Sequence, residues 1–297
     1  MVANRKSQDM CANLIYSIRE SGCKLPIRLI HFGGEEICSA YVLNEVELLR
    51  YGSFSKQAKA FVADLRSVLT DCPLGFLYRY LAWFSDWDEF IYADNDIVAL
   101  CNWEVFFDFL SDYDLVHADE EYTTKGVFNY NRPELVQSIF GVVSLESAIT
   151  AGHFATKRNS KMIDDINKAV AWFKQYPDIP KKHDQSLLHV ASMLGSWKML
   201  NLCKPPHNWL STWAGDYRNS LQLIQRIQKQ GSSISHIHYS GGTPKGDDAI
   251  QDLLLSMNNK NERLAKITLV SFKFFSGFER INNYYSRVKR FVKNKIS

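Results

Sequence analysis

The chain has 297 residues, 46% hydrophobic and 13% aromatic, which supplies a sizeable core and excludes a mainly disordered chain. Thirty-five Lys and Arg against 32 Asp and Glu leave a formal charge of +3, too small to argue for a nucleic-acid partner, and none is expected. Cys11, Cys23, Cys38, Cys72, Cys101 and Cys203 lie far apart without a C-x-x-C pair, which speaks against a zinc ribbon or disulfide framework and for a reduced, cytoplasmic compartment. No apolar run reaches the roughly 18–20 residues that span a bilayer, and the N-terminus lacks a signal-peptide core, so the chain is expected neither to be exported by that route nor to cross the membrane.

Met1-Val2-Ala3 reads as a strand stub, shorter than the usual five or so residues, so the first strand is expected to begin upstream of Met1. Ser7 is the expected cap of a helix carrying Cys11, Leu14, Ile15 and Ile18 at helical spacing until Gly22. A buried strand follows over residues 26–32 and ends in Gly33-Gly34. The 55–70 stretch is helical. Pro73 opens another helix, with Phe76, Leu77, Tyr80, Leu81 and Phe84 on one face. That helix leads to the strand Glu89-Phe90-Ile91-Tyr92-Ala93. Leu115-Val116-His117 and Gly152-His153-Phe154 continue the alternation, followed by helices over 160–174 and from about His183. Strands alternating with helices predict an α/β fold.

Beyond residue 257 the composition changes. Between Lys260 and Ser297 stand ten basic residues, two acidic ones and seven aromatics. Ile281, Tyr284, Tyr285, Val288, Phe291 and Val292 share one helical face with the basic residues opposite. The pattern fits either a helix covering the core or an interfacial helix on an anionic membrane. The expected organisation is therefore a catalytic domain over 1–257 and a basic amphipathic extension over 258–297, with residues 266–297 as the membrane-facing part.

Asp94-Asn95-Asp96 follows a buried strand directly, where open α/β sheets bind ligands. Two carboxylates there can hold a hard divalent cation, Mn²⁺ or Mg²⁺, against the phosphates of a nucleotide. A surface turn is the plain alternative, since turns are rich in Asp. A second chemical reading makes Asp94 the nucleophile of a haloacid-dehalogenase-like phosphatase, with Gly246-Asp247-Asp248 and Asp252 as its acidic motif. A third makes the chain a non-catalytic, membrane-associated glycan-binding module.

Four segments in order carry a more extensive resemblance: Tyr78-Arg79-Tyr80-Leu81; Tyr92-Ala93-Asp94-Asn95-Asp96-Ile97-Val98; Thr150-Ala151-Gly152-His153-Phe154 with His183-Asp184-Gln185-Ser186; and His238-Tyr239-Ser240-Gly241. Across roughly residues 1–246 the chain resembles retaining glycosyltransferases of the GT-A fold, most closely the family 8 galactosyl- and glucosyltransferases of bacterial lipopolysaccharide synthesis. Thr150 and Ala151 replace that family's usual Asn and Ser. Pro244 occupies the position of its late lysine, with Lys245 one residue on.

The resemblance implies a Rossmann-like mixed sheet flanked by helices, and metal-dependent transfer of a hexose with retention. The donor would be a nucleotide-sugar, a UDP-hexose, and the acceptor a glycan or lipid-linked glycan of lipopolysaccharide, O-antigen or capsule. The enzyme would work on the inner face of the cytoplasmic membrane. The implied metal ligands are Asp94, Asp96 and His238, with His236 as the rival imidazole. Ala3, Asn4, Arg79, Thr150, Gly152, Gly241 and Lys245 would contact the donor. Asp184 would bind sugar hydroxyls, unless it is simply a helix N-cap, and Gln185 would support a front-side transfer. His207, Trp209 and Trp213 form an aromatic loop that either stacks on an acceptor sugar or packs as core.

Overall fold

The computed structural model describes residues 1–119, 129–211 and 233–238. The expected extension over 258–297 lies outside them. Among the described residues, no helix is long and apolar enough to cross a membrane.

Strand β1 (Val2–Ala3) is followed by a 3₁₀ turn and helix α1 (Gln8–Glu20). The cap differs from expectation. Asn4 Oδ1 accepts the Lys6 and Ser7 backbone N–H groups at 3.0 and 3.1 Å, while Ser7 Oγ takes the Asn4 N–H at 3.1 Å. Ser7 is thus the reciprocal partner in a capping box, and its side chain makes no cap bond to α1 itself. Cys11, Leu14, Ile15 and Ile18 are buried along α1 as their spacing requires, and Gly22, at φ 91°, lets the chain turn back.

β2 (Ile27–His31), α2 (Ala40–Glu45) and β3 (Val46–Arg50) complete the first layer, in which β1, β2 and β3 run parallel in that order. Ser55 caps α3 (Lys56–Val68) through Oγ to the Ala58 N–H at 3.1 Å. The single helix expected after Pro73 divides into α4 (Leu74–Tyr78) and a 3₁₀ stretch, Arg79–Phe84. The tighter winding brings Arg79, Tyr80, Leu81 and Trp83 all inward.

A second sheet contains β4 (Glu89–Ala93), β6 (Leu115–His117), β7 (His153–Lys157) and β8 (Met199–Asn201), in the order β4-β7-β6-β8. β7 is antiparallel to both neighbours, so β4 and β6 point the same way. β5 (Ile97–Ala99) pairs antiparallel with β9 (His236–His238). Helices α5 (Pro133–Phe140), α6 (Ser160–Gln175) and α7 (Asp184–Gly195) share one buried core with β4, β6 and β7. Trp83 stacks on Phe154 at 5.6 Å and Phe154 on Tyr92 at 5.5 Å. Each such buried ring contributes on the order of 2–3 kcal/mol, and this stack holds β4 and β7 beneath the Asp94 turn. Asp165, fully buried on α6, accepts the Trp197 indole N–H at 3.0 Å and ties α6 to the end of α7.

Candidate active site

Register decides which residues meet. Ala93 is opposite His153 in the β4–β7 pair, which sets Gly152 beside Asp94, and the Asp94 N–H donates to the Gly152 carbonyl at 2.7 Å. Ile97 is opposite His238 in the β5–β9 pair, which brings that imidazole to the other side of the same turn. One atom from each of Asp94, Asp96 and His238 then lies within 4.8 Å of the others. His238 Nε2 stands 3.7 Å from Asp96 Oδ1.

Two carboxylates and an imidazole nitrogen are a donor set suited to Mn²⁺ or Mg²⁺. Gly152 keeps the space between them open. A Cβ there would fall 2.8 Å from His238 Nε2 and 3.1 Å from Asp94 Oδ2. These residues fit the implied cation.

His236 sits deeper, opposite Ala99. Its Nε2 is 3.2 Å from Asp119 Oδ2 and its ring lies 4.3 Å from that of His153. Of the two rival histidines, His238 is the one grouped with Asp94 and Asp96; His236 joins His238 and Asp119 in a second, wholly buried group.

Arg79 is 2% exposed and runs behind the turn. One terminal nitrogen is 3.1 Å from Asp94 Oδ1; the other is 2.9 Å from Asp184 Oδ2 and also donates to the Ala151 carbonyl. Its guanidinium is therefore engaged by the protein. The Tyr92 hydroxyl donates to Asp94 Oδ1 at 2.6 Å. Burial raises the Asp94 carboxyl above its ordinary range; Arg79 pulls against that and Asp96 adds to it. For Asp184 burial also pushes upward, but Arg79 and His183 prevail and its carboxyl lies below the usual range.

The α7 N-cap is His183, whose Nδ1 accepts the Gln185 N–H at 3.3 Å, so Asp184 is not the cap. Asp184 is fully buried and turned to Arg79. Its carboxylate supplies one of the counter-charges that a buried guanidinium needs. Gln185 does wall the cavity. Its Oε1 accepts the Ala151 N–H at 3.4 Å and its Nε2 donates to Asn129 at 2.9 Å.

The cavity measures about 440 Å³ and includes Asn4, Arg79, Asp94, Asp96, Gly152 and His238 in its walls. The side chains of four other expected residues stand outside these walls. Ala3 is fully buried and packs with the α1 side of the core, since strand alternation turns Val2 and Asn4 to the cavity and Ala3 away. Thr150 is 1% exposed, and its hydroxyl donates to Asp119 Oδ2 at 3.3 Å instead of facing the cavity. His207 and Trp209 meet Phe109 and Phe106 edge-on, at 5.2 and 5.9 Å, and pack against the 3₁₀ segment Trp103–Phe109 rather than lining the cavity. Trp213, Gly241 and Lys245, and Asp247, Asp248 and Asp252 of the phosphatase reading, lie outside the described residues.

The residue missed from sequence is Asp119. It is fully buried just after β6, with His238 Nδ1 at 2.7 Å. Leu115-Val116-His117-Ala118-Asp119 carries the signal that singled out Asp94, an apolar strand ending in an acid. Burial pulls the His238 imidazolium down, but the hydrogen bond and charge of Asp119, with Asp96 and Asp94, lift its pKa to about 9.

Residues 1–140, a little under half of the chain, match a family model described as "Mannosyltransferase putative". The galactosyltransferase LgtC, solved with donor and acceptor sugar analogues, superposes with a TM-score of 0.51 at 14% identity, covering 90% of this chain and 93% of that one. The WbbM bifunctional glycosyltransferase gives 0.49 at 13% identity over 90% of this chain, which spans 50% of WbbM's length. Mouse xyloside xylosyltransferase 1 gives 0.48 at 13% identity, covering 82% of this chain and 98% of the other. No curated relative matches by sequence. The fold is GT-A, as the resemblance implied.

Proposed function

We propose that the chain is a metal-dependent, retaining hexosyltransferase that moves a hexose from a nucleotide-sugar to a cell-surface glycan such as lipopolysaccharide, O-antigen or capsule. The observation that carries this reading is the grouping of Asp94, Asp96 and His238 within 4.8 Å on the wall of a cavity also walled by Gln185. The GT-A fold and the match over residues 1–140 support the same class of reaction. Galactose and mannose, named by the LgtC structure and the family model, are the hexoses to test first.

When bound at Asp94, Asp96 and His238, Mn²⁺ or Mg²⁺ supplies positive charge against the nucleoside diphosphate that departs. Arg79 fixes Asp94 and Asp184 at once, so the first turn of α7 and the Asp94 turn keep one relative position. Gln185 presents a neutral amide oriented by Ala151 and Asn129. An amide is a poor nucleophile, which favours front-side transfer through an oxocarbenium-like ion pair over a covalent intermediate. Incubation with UDP-galactose, UDP-glucose and GDP-mannose plus Mn²⁺, followed by NMR of the new anomeric proton, tests the reading. Transfer or slow donor hydrolysis with an α product from an α donor is expected. A β product contradicts retention, and no consumption of any donor contradicts the reading.

Residues 266–297 are proposed to hold the enzyme on an anionic bilayer at the inner face of the cytoplasmic membrane, near a lipid-linked acceptor. Their clustered basic and aromatic residues support this, each Lys or Arg near such a surface contributing about 1 kcal/mol. A chain ending at residue 265 should stop sedimenting with anionic liposomes yet still use a soluble acceptor.

A further inference from the structure

We propose that Asp119 is a positioning residue, fixing the His238 imidazole so that Nε2 is the nitrogen offered to the cation; this rests on the metal-dependent reading of the same site. Asp119 is fully buried, and a buried carboxylate is costly unless charged or hydrogen-bonding partners surround it. Its partners come from the site itself. Oδ2 has His238 Nδ1 at 2.7 Å, His236 Nε2 at 3.2 Å and the Thr150 hydroxyl at 3.3 Å. No lysine or arginine is within ion-pair distance of it among the described residues.

An imidazole has two distinct nitrogens, and the bond made by one determines what the other can do. With Nδ1 held by Asp119, Nε2 is the nitrogen that faces Asp94 and Asp96. The 3.7 Å between Nε2 and Asp96 Oδ1 is too long for a hydrogen bond and suits two atoms that share a cation. A carboxylate behind a ligating histidine holds the ring's orientation and raises its basicity, and loss of such a partner typically weakens metal binding about 10–100-fold.

Topology explains how Asp119 comes to stand there. β4 and β6 both run antiparallel to β7, so their C-terminal ends carry Asp94 and Asp119 to the same edge of the sheet. His238, arriving on β9, stands between them: Asp94 and Asp96 on its Nε2 side, Asp119 on its Nδ1 side. Thr150 belongs to this arrangement. Where the family resembled by this chain has an asparagine, the threonine hydroxyl is spent on Asp119 instead of the cavity.

The test is Mn²⁺ binding to the full chain by calorimetry, without donor or turnover, for wild type, Asp96→Ala, Asp119→Ala and Asp119→Asn. Wild type should bind one Mn²⁺ per chain and Asp96→Ala should not. Asp119→Ala should bind about 10–100-fold more weakly, and Asp119→Asn, which keeps an oxygen able to accept from Nδ1–H, should recover part of that loss. ¹⁵N NMR of metal-free wild type should show a His238 Nδ1–H that Asp119→Ala loses. If Asp119→Ala does not fold, the near-isosteric Asn variant and Thr150→Val, each with a smaller loss of affinity, carry the comparison. Wild-type affinity in folded Asp119 variants would overturn this inference alone. Two Mn²⁺ per chain, with Asp119→Ala abolishing one, would make Asp119 a ligand and overturn it as well. No Mn²⁺ binding by wild type would remove the metal-dependent reading itself, and this inference with it.

Discussion

Two cavities of nearly equal size, about 440 and 450 Å³, lie near β4 and differ in the side chains that they gather. The larger runs between β2 and β4, along walls that include Ile27, Ile30, Phe90 and Trp103. It opens where β1 has only two residues, paired with Ile30 and His31, and where β4, among the described residues, bonds to a strand on one side only. Its charged neighbours are largely satisfied. Arg28 pairs with Asp86 and with Glu47 and lies 4.2 Å over the Trp87 ring. The smaller cavity stands at the ends of the strands, where Asp94, Asp96 and His238 converge. Volume therefore does not mark the site. Strand ends gather side chains from several elements, whereas a gap between strand edges gathers apolar faces and backbone.

The comparison breaks most readily at Arg79, which belongs to the polar cavity and also to the packing beneath it. Arg79→Ala would leave Asp94 and Asp184 as buried carboxylates without their shared cation, so urea unfolding should show a loss of about 3–5 kcal/mol together with a loss of turnover. Unchanged stability would mean the two carboxylates do not depend on it. Phe90 sharpens the contrast from the apolar side. It is 4% exposed, and Phe90→Ala should cost roughly 3–5 kcal/mol of stability while leaving the Mn²⁺ affinity of the folded fraction within about twofold. A large fall in that affinity would join the two cavities into one functional unit.

A smaller effect separates the site's histidine from those of the core. Burial lowers His189 and His117 to about 4 each, partly opposed by hydrogen bonds to the Ser144 and Asp119 carbonyls. Their folded values lie below the unfolded value of about 6.5. Their contribution is thus complete above pH ~6.5 and is lost as pH falls toward 4, where the unfolded chain takes up protons that the folded one refuses. The melting temperature should decline steadily between those limits. A flat profile from pH 7 to 4.5 would contradict the neutral, buried placement of both rings.

Much of the polar cavity was legible in the sequence, because a long apolar strand ending in Asp94-Asn95-Asp96 and a helix opening at Asp184-Gln185 are local signals. What escaped has a common cause. β5 and β9 have three residues each, too few for periodicity, and their pairing spans about 140 residues. β3 follows α2 without a glycine or proline between them to mark the boundary. Asp119 could be weighed only once β6 was known to run with β4. Side-chain direction is not legible at Ala3 or Thr150: a one-residue step along β1 reverses the face that Ala3 presents, and the Thr150 hydroxyl turns to Asp119 from a loop.

The central claim is that Asp94, Asp96 and His238 bind a divalent cation together with a nucleotide-sugar. Thermal denaturation of wild type and Asp96→Ala, with UDP-hexoses and GDP-mannose each in the presence and absence of Mn²⁺, tests it most directly, since a ligand that binds only the folded state raises its melting temperature. The expected result is a rise for at least one nucleotide-sugar that requires Mn²⁺ and vanishes in Asp96→Ala, with the unliganded variant melting as a folded protein. An equal rise with and without Mn²⁺, or one that survives in Asp96→Ala, would contradict the assignment of this cavity as the donor site.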